Sequence, residues 1–129
     1  MNNRDVNNGS ILHCDFCSIV QDQIPRRVRY REPGLIVIHN VLTWAPVMLL
    51  VLPETHMTQE EFWASDLFSR AANLAVHLGR EDCPNGYRLI ANIGNDALQT
   101  QAHAHIHVVG GKPLGPYVAS RLTGWGQEQ

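Results

Sequence analysis

Apolar and polar positions change period along this chain, and the changes mark out its elements. Cys17 to Gln23 reads as a short helical turn that stops before Ile24-Pro25, because the residue before a proline is driven out of helical space. Val28 to Arg31 reads as a strand, Glu32-Pro33-Gly34 carries turn chemistry, and Leu35 to His39 is an apolar, β-branched run of the kind that fills a buried strand. Val47 to Leu52 is a further buried strand closed by Pro53. Thr58-Gln59-Glu60-Glu61 fits a capping box; Phe62, Leu67, Ala71, Leu74, Ala75 and Leu78 then recur at mostly helical spacing as far as Gly79, which predicts one long helix. Tyr87 to Ile93 forms a fourth strand, a loop runs to Gln101, and a last strand carries the histidines from His103. The order predicts an α+β domain with helices packed on one side of an antiparallel sheet of about five strands: one long helix and a short N-terminal helix. A doubly wound sheet is excluded, since only one good helix separates the strands and no glycine-rich phosphate loop follows the first of them.

Polar, Asn-rich residues 1–12 read as a flexible tail, and residues 13–129 as a single domain whose C-terminal arm, from about residue 112, is irregular and packs by its aromatic residues. The 129 residues carry a formal net charge of −2, which gives no general attraction to nucleic acid or to an anionic membrane. Arg26, Arg27, Arg29 and Arg31 read as the solvated face of their strand. The apolar stretch Ala45 to Pro53 is far too short to span a bilayer and no export signal is evident, so a cytoplasmic protein is expected.

The chemistry is concentrated in His103-Ala104-His105-Ile106-His107. Strict alternation puts the three imidazoles on one face of a strand, and Ala104, Ile106 and Val108 on the other. Two mechanisms fit. The imidazoles could hold one catalytic metal and leave a position open for water. Alternatively, one of them is a nucleophile that attacks phosphorus while its neighbours orient it. The approach to the strand favours the nucleophile, because Asn92, Asn95, Gln99, Thr100 and Gln101 offer donors for phosphate oxygens and are poor ligands for catalytic zinc. Three cysteines are an odd number, and two of them form Cys14-Asp15-Phe16-Cys17, half of a tetrahedral zinc site or a redox pair.

These residues resemble the histidine-triad (HIT) nucleotide hydrolases and transferases, nearest to their Hint-like branch. The resemblance rests on the triad run through Val108-Val109 and on Asn92 and Gly94 followed by Gln99-Thr100. Further matches in order and spacing are Phe16-Cys17-Ser18-Ile19-Val20, the Ile38-His39-Asn40 step and Leu50-Val51-Leu52-Pro53-Glu54-Thr55-His56. It implies a HIT fold and a hydrolase that cleaves a purine nucleoside monophosphate from an amine, phosphate or nucleotidyl leaving group. His105 would be the nucleophile forming a nucleotidyl-imidazole, with His107 orienting it, His103 completing the triad and Thr100 beside the leaving-group oxygen. Asn92 and Gln99 would contact phosphate, Asn40 the ribose, and Ile19, Ile38 and Leu35 the base. The resemblance also implies a structural zinc held by Cys14, Cys17, His56 and His103, no need for a catalytic metal, and a homodimer. Met48 departs from the pattern, standing where most members carry a histidine beside the phosphate. That departure motivates the alternative of a nucleotide-binding or regulatory module with little activity.

Overall fold

A computed structural model describes residues 14–22 and 27–116. Its elements are α1 (Asp15–Asp22), β1 (Val28–Glu32), β2 (Leu35–His39), β3 (Val47–Pro53), α2 (Gln59–Ala64), α3 (Leu67–Asp82), β4 (Tyr87–Ile90), a 3-10 turn at Asn95–Ala97, and β5 (Ile106–Gly110). The five strands form one antiparallel sheet in the order β1-β2-β3-β5-β4. The polar tail, the Arg26 side chain and the arm beyond Pro116 lie outside the described residues.

Strand alternation sorts the core into two layers. Leu35, Val37, Leu49, Val51, Ala104, Ile106 and Val108 pack with Phe62, Ala71, Leu74, Ala75 and Leu78 from α2 and α3. Ile36, Ile38, Leu50 and Leu52 face the other way, onto Phe16 and Val20 of α1. The α+β architecture is as the sequence predicts, with helices on both faces of the sheet and not on one alone.

The predicted long helix is in two pieces. Ser65 leaves helical space at φ −86° and ψ 158°, and both its backbone N–H and its hydroxyl donate to the Phe62 carbonyl, closing α2. Phe62 and Leu67 are five residues apart, off the same-face spacing of three or four, and the break lets both reach the core. Gly79 does not stop α3, which runs on to Asp82. Its role is close approach: a Cβ there would lie 2.6 Å from the Tyr87 ring.

The arginines of β1 are not a free solvated face. Arg29 binds Asp82 at 2.9 Å, Arg31 pairs with Glu54, and Arg27 donates to the His39 carbonyl. No described helix is long and apolar enough to cross a membrane.

Candidate active site and metal centre

β5 places the histidines, although only His107 lies within the strand itself. His107 stands opposite Leu50 of β3 and Ile90 of β4, on the sheet face that α1 covers. Continuing the β4–β5 register would set Asn92 opposite His105, but the ladder stops at Ile90 and His107. Tyr87 to Ile93 is therefore a shorter strand than its sequence predicts. Beyond the ladder the chain is held from the helix side: Met57 accepts from Ala104 N–H at 2.9 Å, and the Gln59 amide donates to the His105 carbonyl at 3.0 Å.

The ring of His105 is 5% exposed and sits edge-on to Phe16 and to His107, with centroids 5.1 and 4.9 Å away. Its Nδ1 is 2.9 Å from the His103 carbonyl. A carbonyl only accepts, so Nδ1 carries the proton and Nε2 presents its lone pair. Burial pushes the His105 pKa down, opposed by that same hydrogen bond. Burial, reinforced by His105, takes His107 down to about 4. Both rings are neutral at pH 7, the state an attacking imidazole requires.

His103 has the opposite tautomer. Its Nε2–H donates to the Pro53 carbonyl at 2.7 Å, which turns Nδ1 toward the cysteines. Nδ1 lies 3.5 Å from the sulfurs of both Cys14 and Cys17, and Cys17 Sγ is 3.4 Å from His56 Nδ1. All four donor atoms fall within 4.8 Å of one another. A tetrahedral ion at about 2.3 Å from sulfur and about 2.0 Å from nitrogen gives a sulfur–nitrogen edge of about 3.5 Å. The four side chains fit such an ion, and the carbonyl behind His103 fixes the ligand's orientation. Burial, then Cys14, pushes the Cys17 thiol up to about 12, so metal binding has to displace its proton.

The remaining sequence-predicted site residues are placed unevenly. Thr100 is exposed on the loop before the triad, and Asn92 is half-buried with its carbonyl near the Gln59 amide. Gln99 is held inside its own loop, accepting from Gly94 N–H and donating one amide N–H to the Gln101 carbonyl, which leaves its second N–H as the donor a phosphate could use. The Asn40 side-chain oxygen accepts from Leu42 N–H. Ile38 is fully covered beneath α1, and Ile19 is half-buried against the same cluster. Leu35 belongs to the opposite face, under α2 and α3, and is no wall for a base on the histidine side. Met48 is buried with Ala45 and Val109, so the sheet beside His107 offers an apolar surface at the strand position opposite Val109.

Gln59 escaped the sequence reading. It was absorbed into the capping box, and the available signal was its position three residues before Phe62, a polar residue on the apolar side of its helix.

The HIT domain family matches residues 21–114. The chain is 27% identical over 113 residues to the purine nucleoside phosphoramidase of Escherichia coli, covering 82% of this chain and 93% of that protein. Among solved structures, a HIT family hydrolase from Clostridium thermocellum superimposes with a TM-score of 0.72 at 30% identity, covering 82% and 96% of the two chains. A Zn-bound histidine triad family protein from Mycobacterium smegmatis gives 0.62 at 25% identity, covering 78% and 76%.

Proposed function

The chain belongs to the HIT family, and from that footing we propose that it hydrolyses a purine nucleoside phosphoramidate or related nucleotide through a covalent His105 intermediate. The observation that carries the reading is the tautomer of His105: Nδ1–H is held by the His103 carbonyl, and Nε2 is left bare on a neutral ring. Its support from outside the chain is the likeness to a phosphoramidase and to HIT family hydrolases.

Nε2 attacks phosphorus, the bond from phosphorus to the leaving nitrogen breaks, and the departing amine takes a proton from solvent water, with the Thr100 hydroxyl proposed beside it. Water then attacks the nucleotidyl-imidazole, releasing the monophosphate and restoring His105. Asn92 and Gln99 are proposed to contact phosphate oxygens, Asn40 the ribose and Ile19 the base, while Ile38, fully covered beneath α1, can only back that wall from behind. His107 keeps the His105 ring in place from its other edge. Zinc held by Cys14, Cys17, His56 and His103 would pin the start of α1 to the triad segment. With four protein ligands that site is closed, which is the structural type.

Intact mass spectrometry on protein quenched near one turnover with adenosine phosphoramidate tests the reading, with an AMP adduct on the chain as the expected result. AMP that binds without any adduct or hydrolysis would instead favour the binding-module alternative, for which Met48 is the specific observation. Met48→His restores a donor beside His107 and is expected to raise turnover about tenfold, the effect of one charge-assisted hydrogen bond. An unchanged or slower rate would show that the apolar surface suits the substrate as it is.

A homodimer belongs to the same proposal. Among the described residues one edge of β4 has no strand partner, and beside it Trp63, Phe68, Ala72, Leu89 and Ile93 line an apolar groove. Sedimentation at micromolar concentration is expected to give twice the chain mass, and a monomer there would remove the dimer from the reading. Three free thiols among the described residues suit a reducing, cytoplasmic setting.

A further inference from the structure

We infer that Gln59 is a positioning residue for the His105 nucleophile, its amide acting as a wedge that opens the sheet where the site begins. The inference rests on the hydrolase reading above and adds to it a side chain from the far face of the sheet.

Three observations converge on it. The two carbonyls that the Gln59 amide approaches, His105 at 3.0 Å and Asn92 at 3.4 Å, belong to the residues that the β4–β5 register would set opposite each other. The amide therefore stands in the place of the ladder and keeps the two strands apart. Gln59 is also 2% exposed, yet its Oε1 has no hydrogen-bond partner among the described residues. Packing alone does not call for such a group, because an isosteric methionine would fill the same volume without stranding an acceptor. What the amide adds is its donors on the nucleophile's own backbone. Finally, Gln59 is the first residue of α2, behind the Thr58 N-cap. The reciprocal Thr58–Glu61 capping box fixes the start of the helix and hence the direction of the side chain.

The consequence reaches the ring through the peptide. Residues 103–105 are gripped at Ala104 N–H by Met57 and at the His105 carbonyl by Gln59. The His105 ring hangs from that same short run by its bond to the His103 carbonyl. Without the Gln59 donors, the peptide that carries both the ring and its acceptor loses one of its two anchors. The aim of Nε2 then degrades while the groups proposed to hold the nucleotide stay in place.

Turnover is measured for wild type, Gln59→Met and Gln59→Glu, with the ring-nitrogen NMR shifts of His105 recorded alongside. Gln59→Met is expected to lower kcat about 30-fold with KM within about twofold, since small misplacements of a reacting group are costly. Gln59→Glu carries its own control. A protonated carboxyl can donate to the His105 carbonyl and a carboxylate cannot, so its activity relative to wild type is expected to climb from about pH 8 to about pH 5. The NMR shifts are expected to show Nδ1 protonated in wild type and a mixture of tautomers in Gln59→Met. An unaltered kcat in Gln59→Met, a pH-independent Gln59→Glu ratio, or an unaltered tautomer overturns the inference. If wild type neither hydrolyses the phosphoramidate nor forms the adduct, the hydrolase reading fails by itself, and the His105 shifts alone decide the role of Gln59.

Discussion

His105→Ala is expected to lower turnover of adenosine phosphoramidate by about 10⁴-fold and to remove the AMP adduct, with AMP binding still measurable. The asymmetry follows from where the ring sits. His105 is 5% exposed and is walled by Phe16 and His107, so its removal deletes the attacking atom without touching Asn40 or the loop from Asn92 to Gln101, where substrate contacts are proposed. His107 does not substitute for it. His107 lies within the ladder, opposite Leu50 and Ile90, and among the described residues no carbonyl bonds its ring to define which nitrogen is bare. Rapid turnover retained in His105→Ala would rule out the covalent route.

Cys14→Ser/Cys17→Ser is expected to abolish binding of one zinc per chain and to lower Tm by about 10 °C relative to the zinc-loaded protein. An ion bound only by the folded state, at about a thousandfold above its Kd, contributes about 4 kcal/mol, and each kcal/mol moves Tm by a few degrees in a domain of this size. The two cysteines sit at the start of α1 and immediately before it, His56 follows β3 and His103 opens the triad segment, so an ion held there would join three separate stretches of chain. Metal analysis by mass spectrometry and a thermal melt with and without chelator check both halves of the expectation. Equal zinc content in wild type and the double variant would place any bound zinc elsewhere.

Much of this was legible in residue order. The β-branched run Leu35–His39 reads as a buried strand, and in the fold Ile36 and Val37 are fully covered from opposite sides. The Thr58 capping box marked the start of α2 to the residue. Three departures share one cause, namely tertiary contacts that no local pattern records. The break at Ser65 depends on where Phe62 and Leu67 must both land, and Gly79 sits inside α3 as a point of close approach, where a ring from β4 fills the space a side chain would need. The early end of β4 depends on a glutamine more than thirty positions away in sequence. At the site, the spacing of three imidazoles and the Cys14–Cys17 pair pointed to the residues that the fold brings together, with the cysteines beside His56 and His103. The imidazole tautomers were not legible, since these are set by the carbonyls of Pro53 and His103. The separation of Leu35 from Ile38 onto opposite layers, by contrast, follows from strand alternation alone.

The strand order has a consequence for how the molecule is made. β1, β2 and β3 are sequence neighbours and pair as a meander, whereas β5, the last of the described strands, inserts between β3 and β4. Among the described residues β4 pairs with β5 alone, so on a ribosome the first three strands can assemble while β4 waits, and the most sequence-distant pairing, of β5 with β3, follows. His103, His105 and His107 all emerge with that final segment. A nascent chain therefore has neither the histidine proposed as its nucleophile nor the fourth donor of its cysteine–histidine cluster until the sheet can close, so the proposed chemistry is tied to a finished sheet.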